Sequence, residues 1–290
     1  MSVFSWSREP KWLDQMYNNR ALVPDHGEYF ACWARQSAMV RRSQPCALDV
    51  AYGSGPGQTL DVFPSRTPRG KGAPVLVFIH GGYWRALDKS DHSFLAPGLT
   101  EQGACVVIPN YALCPAVTIA GIALQMAQAL AWCWRNIALY GGNPRRIVVA
   151  GHSAGGHLAA MLLACQWRQV AMDMPQPLVK RALSVSGLFD LEPLVHTPFL
   201  QADLRLSADS ALQVSPAYMP APRATQLYAV VGAAESPEFV RQNQLIRQTW
   251  GARAVPVCEA LAGLNHFSVL EAMTQPGHRL HSLAGQLLRE

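Results

Sequence analysis

The sequence predicts an α/β fold, with a mostly parallel central sheet and helices on both faces. From residue 74 onward, short apolar runs alternate with stretches of helical periodicity. Strands buried on both faces have this near-continuous apolar character, and their alternation with helices is typical of right-handed βαβ units. A chain of 290 residues that is 50% hydrophobic can bury a large core, so we expect a single domain over residues 1–290.

The elements are predicted in order along the chain. Apolar residues at helical spacing predict a helical N-terminal extension over residues 1–45, with Asp25 as an N-cap. Two β-type segments, 48–52 and 59–63, flank a turn-rich pentapeptide and predict an antiparallel start of the sheet. Six further strands are predicted at residues 75–79, 105–108, 147–150, 182–185, 227–231 and 255–258.

Residues 187–224 interrupt this alternation. They are rich in Pro, Ser and Asp and only weakly periodic. In an open α/β sheet such a segment lies at the carboxyl ends of the strands, where binding sites form. We therefore expect a cap-like insertion near the functional site.

Composition restricts the classes of function. The net charge of +5 comes from scattered basic residues without a run of five, so no nucleic-acid surface is expected. The seven cysteines have no metal-type spacing, which indicates small buried side chains in a reducing compartment and no metal site. No secretory signal or membrane span is visible, since polar residues interrupt the apolar stretch at 116–140. We expect a soluble cytoplasmic protein without a membrane partner, with a homodimer as one option.

The pentapeptide Gly151-His152-Ser153-Ala154-Gly155 carries the strongest functional signal. It follows the apolar run at 147–150 and precedes a helix-forming run. A Gly-x-Ser-x-Gly turn between a strand and a helix lifts the serine hydroxyl above the sheet edge and requires glycines for close packing. Ser153 is therefore the predicted nucleophile, and the N–H of Ala154, at the start of the helix, is a predicted oxyanion donor.

A second motif, His80-Gly81-Gly82-Tyr83-Trp84, directly follows the strand predicted at 75–79. Paired glycines let the backbone approach a substrate, so Gly81, Gly82 and Tyr83 are predicted to complete the oxyanion hole with Ala154. A tight turn without function is the alternative. Tyr83, Trp84 and His152 are the predicted lining of a substrate pocket.

His266 is the predicted general base, because it follows the last strand and the order serine, acid, histidine places the base last. Of the other histidines, His80 is expected to hold the oxyanion turn. His152 and His157 flank the serine. A surface position is expected for five more: His26, His92, His196, His278 and His281.

Glu235 is the predicted acid of the triad. It follows the strand at 227–231, as the fold requires, and would hold the imidazole of His266 in the correct tautomer. Asp190, at the end of the preceding strand, is a rival acid. Two further candidates lie in the insertion: Asp203 and Asp209.

Together these motifs resemble those of the α/β-hydrolase superfamily, over residues 45–290. Within it the chain is most similar to the serine-dependent arylformamidases (kynurenine formamidases). The similar segments are residues 80–84, 151–158 and 235–239, and Tyr17-Asn18-Asn19-Arg20 is similar to bacterial members. The resemblance implies an α/β-hydrolase fold and a cofactor-free hydrolase for a small formamide or ester. From the residues themselves, an acyl-enzyme on Ser153 is the expected intermediate.

The substrate is less closely specified. Vertebrate and insect arylformamidases tend to have Asp as the triad acid, whereas this chain has Glu235. The resemblance therefore does not by itself assign N-formylkynurenine as the substrate. Relatives with the His-Gly-Gly motif also include carboxylesterases of the hormone-sensitive-lipase type. A short-chain carboxylesterase or lactonase is thus one alternative, and a ligand-binding module without catalysis is an alternative of another class.

Overall fold

The computed structural model of the protein describes residues 9–67, 70 and 72–289. Within this part of the chain, eight strands form one sheet in the order β1-β2-β4-β3-β5-β6-β7-β8. The strands are β1 (Ala47–Ala51), β2 (Thr59–Phe63), β3 (Ala73–Ile79), β4 (Cys105–Pro109), β5 (Gly142–His152), β6 (Arg181–Val185), β7 (Gln226–Gly232) and β8 (Val257–Leu261).

The sheet is mostly parallel. β1 pairs with β2, and β2 with β4, in antiparallel register, and all other neighbours are parallel. The predicted antiparallel start and parallel remainder are both confirmed. β8 begins at Val257 rather than at the predicted Val255, because Val255 caps the preceding helix. Pro256, between them, has no N–H to donate to a neighbouring strand.

The helices precede, separate and follow the strands. The α-helices are α1 (Pro10–Tyr17), α2 (Asn19–Leu22), α3 (His26–Ser43), α4 (Ala96–Glu101), α5 (Ile119–Asn136), α6 (Ala154–Leu163), α7 (Trp167–Val170), α8 (Glu192–Val195), α9 (Pro198–Leu204), α10 (Ala208–Gln213), α11 (Pro237–Ala254), α12 (Ser268–Glu271) and α13 (Arg279–Arg289). Short 3-10 helices span Lys89–Leu95, Ile137–Tyr140, Pro216–Tyr218 and Ala272–Thr274. No helix in the described ranges is long and apolar enough to cross a membrane.

The core lies on both faces of the sheet. In β3, Val75 and Val77 belong to one buried cluster, whereas Leu76 and Phe78 belong to the other, because successive side chains of a strand point to opposite faces. The first cluster includes residues of α1, α5, α6 and α11, and the second includes residues of α3, α4 and α13. The predicted helices on both faces are therefore confirmed.

The N-terminal extension reaches both clusters. Leu13 and Tyr17 of α1 are buried in the first, and Trp33 of α3 is buried in the second. Asp25 stands at the N-cap position of α3, as predicted, but its side chain makes no capping hydrogen bond. The short helix α2 connects the two faces and comes to lie beside the cavity described below.

The insertion forms the short helices α8, α9 and α10 between β6 and β7. Gln242 of α11 fixes its beginning, since its Oε1 accepts hydrogen bonds from the backbone N–H groups of Phe189 and Asp190 at 2.8 and 2.9 Å. Both N–H groups are buried, so this side chain satisfies donors that would otherwise be unpaired. The insertion is thus attached to the same helix that follows Glu235.

All seven cysteines lie in the described ranges and carry free thiols. Cys105, Cys114 and Cys133 are buried, and the other four are half-buried. Burial raises the pKa of the Cys105 thiol to about 12, so this side chain is a neutral packing group. The prediction of small buried side chains therefore holds for three of the seven.

Candidate active site

Ser153 lies on a sharp turn between β5 and α6. Its backbone has φ of 56° and ψ of −117°, a conformation that a residue with a side chain adopts only under strain. Hydrogen bonds hold the turn on both sides: the N–H of Ser153 donates to Val185 O at 2.8 Å, and the N–H of His157 donates to Ser153 O at 3.1 Å. This backbone geometry is that of a nucleophile elbow.

The two glycines of the elbow have no room for a side chain. A Cβ at Gly151 would lie 2.1 Å from Gly155 O, and a Cβ at Gly155 would lie 1.9 Å from Ile79 O. Because both obstacles are backbone atoms, no side-chain movement would relieve the clash. The glycine spacing of the motif is therefore imposed by the packing of α6 on β3 and β5.

His266 and Glu235 meet at the carboxyl end of the sheet. Nδ1 of His266 lies 2.6 Å from Oε2 of Glu235, and the Glu235 side chain is completely buried. The other carboxylate oxygen, Oε1, accepts hydrogen bonds from Ser186 Oγ at 2.5 Å and from Gly232 N at 2.7 Å. With Nδ1–H donated to the carboxylate, Nε2 of His266 is the nitrogen left to accept a proton.

The rival acids lie elsewhere. Asp190 is buried, with Oδ2 3.5 Å from Nη1 of Arg241, and burial raises its pKa. Asp203 forms an ion pair with Arg85. Asp209 is exposed on α10. Of the four candidate acids, only Glu235 makes a described contact with His266.

The turn after β3 lies directly against Ser153. A Cβ at Gly81 would lie 3.1 Å from the Cβ of Ser153. Gly82 has φ of +97°, and a Cβ there would lie 2.1 Å from Ala86 O. Tyr83 also has positive φ, at 50°. A glycine at position 82 is thus required both by the backbone angle and by the close approach of the chain.

His80 and Tyr111 support this turn from below. Their rings stack with centroids 4.3 Å apart, and the Tyr111 hydroxyl donates to the carbonyls of His80 and Gly81. Nε2 of His80 lies 2.9 Å from Oδ1 of Asn110, and burial lowers the pKa of the imidazole. The side chain of His80 is therefore a buried, neutral support of the loop.

A cavity of about 690 Å³ opens above the elbow. Ser153, His152, His266, Gly82 and Tyr83 line it, whereas Gly81 and Ala154 are buried behind Ser153. The insertion and the loops after β3 and β8 contribute further walls: Arg85, Ala86, Leu87, Phe199, Asp203 and Phe267. The predicted nucleophile, base and glycine turn therefore share one cavity.

Trp84 does not line this cavity, so its predicted place in the substrate pocket is wrong. Its side chain is fully buried and packs edge-on against His157, with ring centroids 5.0 Å apart. The large indole fills the core cluster that includes α5 and α6, which removes a large apolar area from water. Trp84 supports the turn from the protein interior.

His152 lies between the elbow and His266. Its Nε2–H donates to the backbone carbonyl of His266 at 2.8 Å, and the two rings lie 4.7 Å apart. Burial, and next the nearby His266, hold the pKa of His152 well below its usual value. A neutral His152 therefore holds the loop that carries His266.

Tyr83 is linked to the N-terminal extension through buried hydrogen bonds. Its hydroxyl donates to the carbonyl of Tyr17 at 2.6 Å, and the Tyr17 hydroxyl donates to Oε2 of Glu238 at 2.7 Å. Arg241 pairs with Glu238 at 2.9 Å. Since Glu238 lies in the first turn of α11, just after Glu235, this network connects the glycine turn to the segment that carries Glu235.

No site role is predicted for the extension, although it supplies much of the cavity wall: Asn18, Asn19, Arg20, Ala21, His26, Phe30 and Trp33. The only signal was the similarity of residues 17–20 to bacterial arylformamidases. The surface position expected for five histidines is wrong for His92 and His281, which are buried, and His26 lines the cavity. A single histidine in a sequence does not reveal which way its side chain faces.

The chain is similar to a family model, to a named enzyme and to a solved structure. The family model BD-FAE matches residues 60–197. The kynurenine formamidase of Danio rerio is 30% identical over 243 residues, covering 81% of this chain and 80% of that protein. The crystal structure of a proposed thioesterase from Silicibacter sp. TM1040 is 31% identical, covers 96% of this chain and 99% of that chain, and superposes with a TM-score of 0.81.

A more distant structure shows the fold alone. The thermophilic carboxylesterase EstE1, cloned from a metagenomic library, has 18% identity and a TM-score of 0.69, and covers 91% of this chain and 96% of that chain. The similarity to formamidases and esterases supports a hydrolase of the formamide or ester type. By its sheet and by its relatives, the chain belongs to the α/β-hydrolase superfamily and, within it, to the kynurenine formamidase family.

Proposed function

We propose that the protein is a serine hydrolase that cleaves an aryl formamide through a formyl-enzyme intermediate. The observation that carries this proposal is the 2.6 Å contact between His266 Nδ1 and the buried carboxylate of Glu235, because His266 lines the same cavity as Ser153. A nucleophile, a base and an acid that orients the base are the three parts that acyl transfer needs.

In the proposed reaction, Ser153 Oγ attacks the formyl carbon and its proton passes to Nε2 of His266. The Glu235 side chain, hydrogen-bonded to Nδ1, stabilises the imidazolium that forms. Backbone N–H groups of Gly82, Tyr83 and Ala154 hold the oxyanion of the tetrahedral intermediate. The C–N bond then breaks, the amine leaves with the proton from His266, and the formyl group stays on Ser153 as an ester.

Water completes the cycle. His266 removes a proton from the water molecule that attacks the formyl ester, and returns it to Ser153 Oγ as formate leaves. Phe30, Phe199 and Phe267 line the cavity beyond the elbow and would pack against an aromatic amine. N-formylkynurenine, the substrate implied by the name of the relatives, is the first compound to test.

The decisive experiment replaces the nucleophile. Ser153→Ala should lower kcat for N-formylkynurenine by about 10⁴-fold or more while the circular dichroism spectrum stays that of the wild type. A fluorophosphonate probe should label the wild type and not the variant, which also tests the alternative of a binding module. Ser43→Ala, an exposed position on α3, is the control. Normal turnover by Ser153→Ala would refute the proposed nucleophile.

The ester alternative is tested with the wild-type enzyme. Because the same groups would cleave a short ester, kcat/KM is compared for N-formylkynurenine and p-nitrophenyl acetate. A higher value for the formamide supports the proposal. A higher value for the ester, with little formamide hydrolysis, would assign the protein as a short-chain carboxylesterase.

A further inference from the structure

Another cavity, of about 720 Å³, opens at the amino end of the sheet. This amino-end cavity lies where β6 and β7 begin, whereas Ser153 follows the end of β5, the parallel neighbour of β6. Small-molecule sites in proteins have volumes of about 300–1,000 Å³, so the cavity is large enough for an organic ligand. The proposed reaction makes no use of it.

The charged side chains of the amino-end cavity are all basic among the residues that the structure describes: Lys180, Arg181, Arg223 and Arg253. They come from the start of β6, the loop before β7 and the last turn of α11. These segments are far apart in the sequence, so no basic run is visible there, and the fold brings the charges together. Because like charges repel, a lining of this kind is stabilised by a ligand of opposite charge.

Three of these charges are unmatched. In the part of the chain that the structure describes, the side chains of Lys180, Arg223 and Arg253 form neither an ion pair nor a hydrogen bond. Exposed arginines elsewhere do find partners, since Arg66 and Arg135 each pair with a carboxylate. Three positive charges around one cavity therefore remain for a ligand to neutralise.

The rest of the lining is largely apolar and is fixed by hydrogen bonds. Its apolar members are Ala221, Pro222, Ala224, Trp250 and Ala254. Trp250 is only 5% exposed, and its Nε1–H donates to Pro216 O at 2.9 Å. The backbone N–H of Gln226 donates to Lys180 O at 2.9 Å, which joins the starts of β7 and β6. A ligand that matches the whole lining therefore has both negative charge and an apolar part.

We propose that the amino-end cavity binds a phosphorylated small molecule, whose phosphate oxygens contact Lys180, Arg223 and Arg253. A phosphate monoester carries a charge of about −1.5 to −2 at pH 7 and three acceptor oxygens, whereas a carboxylate has one charge and would leave two of the three cations unmatched. Arginine can pair with phosphate through two parallel hydrogen bonds, and lysine adds a point charge. None of these residues lines the cavity above the elbow, so the site is independent of the formamidase function.

The test measures the Kd of phenyl phosphate by isothermal titration calorimetry at constant ionic strength, since salt screens these charges. The wild type should bind phenyl phosphate at least about tenfold more tightly than benzoate, which has the same ring but a single charge. Arg223→Gln and Arg253→Gln should each raise the Kd of phenyl phosphate about fivefold or more, because each removes a charge-assisted hydrogen bond. The double variant should raise it about 25-fold or more, if the two side chains act independently.

Two further arginine variants are matched controls, because each lowers the net charge by the same amount. Arg42→Gln lies on α3, outside both cavities, and Arg20→Gln lies in the wall of the cavity above the elbow. Both should keep the wild-type Kd for phenyl phosphate. All four arginines are exposed, so the circular dichroism spectrum of each variant should match that of the wild type.

A higher Kd confined to Arg223→Gln, Arg253→Gln and their combination supports the phosphate site. An equal loss in all four single variants would mean that phenyl phosphate responds only to the net charge of the protein. A loss in Arg20→Gln alone would place the ligand beside Ser153. Either result overturns the proposal, and so does a wild type that fails to bind phenyl phosphate or that binds benzoate as tightly.

Discussion

At the scale of single residues, the burial of the Glu235 carboxylate depends on the groups that hydrogen-bond to it. Gly232 donates a hydrogen bond to Oε1, and a Cβ at this position would lie only 3.1 Å from the same oxygen. Ser186 supplies the second donor. A fully buried carboxylate is stable only when its oxygens are paired, and here both oxygens have partners. The longer side chain of Glu is therefore accommodated by a glycine and a serine at the ends of β7 and β6.

Glu235→Gln tests this arrangement. The neutral amide cannot stabilise the imidazolium of His266, and its NH₂ group cannot replace the carboxylate oxygen as an acceptor. We expect kcat for N-formylkynurenine to fall by about 10³- to 10⁴-fold with little change in the circular dichroism spectrum. Glu101→Gln, in an exposed ion pair with Arg66, should leave kcat unchanged. A kcat within threefold of the wild type would exclude Glu235 as the acid.

At the scale of elements, the helical extension is part of the site. α1 packs against α9 and α11, and its last residue, Tyr17, joins the glycine turn to Glu238. Burial, and next the carboxylate of Glu238, raise the pKa of Tyr17 well above its usual value, so the hydroxyl stays a donor. The position of Tyr83 is consequently set by α1, whose last residue lies 66 positions earlier in the chain.

Tyr83→Phe should show whether the hydroxyl of Tyr83 positions the glycine turn or whether its ring only packs there. The variant keeps the ring but leaves the Tyr17 carbonyl without its partner, so the turn gains freedom and its N–H groups are less well oriented. We expect kcat to fall about tenfold with KM nearly constant, because the lost interaction acts on the transition state.

Steady-state kinetics with N-formylkynurenine provide the measurement, and Tyr140→Phe, far along the chain at a 3-10 helix, is the control. If Tyr83→Phe changed only the urea midpoint and left kcat intact, the hydroxyl would have a structural role alone.

Whether an element can be predicted from the sequence depends on the pattern of residues that it requires. Strands buried on both faces appear as apolar runs, and the residues after those runs, Ser153, Glu235 and His266, could be found by counting strand ends. Helix α2 is four residues long and polar, so it has no periodicity to detect. Trp84 follows two glycines in a turn, and sequence cannot tell which side of such a turn faces the cavity.

At the scale of the whole molecule, several histidines are buried. His92, His152 and His157 are each at most 3% exposed, and burial lowers the pKa of all three. Each is neutral in the folded protein and becomes more basic on unfolding, which links stability to pH.

The cytoplasmic location, the homodimer and the absence of a nucleic-acid partner stay predictions.

His157 allows this linkage to be measured away from the reacting atoms. Its Nε2–H donates to Val214 O at 2.7 Å, and burial lowers its pKa from 6.5 to about 4. Between these values the unfolded chain binds the proton and the folded chain does not. Above pH 6.5 the ring is neutral in both states and does not lower the free energy of unfolding. As the pH falls from 6.5 toward 4, the free energy of unfolding falls by about 3 kcal/mol.

His157→Gln should remove this dependence, because the amide of Gln can still donate to Val214 O but does not titrate. Urea unfolding at pH 7.5 and 4.5 gives the free energy of unfolding for both proteins. From the higher to the lower pH, the wild type should lose about 2 kcal/mol more than the variant. His196→Gln, with a side chain that is 38% exposed, should follow the wild type. Equal losses in the wild type and His157→Gln would mean that the folded protein protonates His157 as readily as the unfolded chain does.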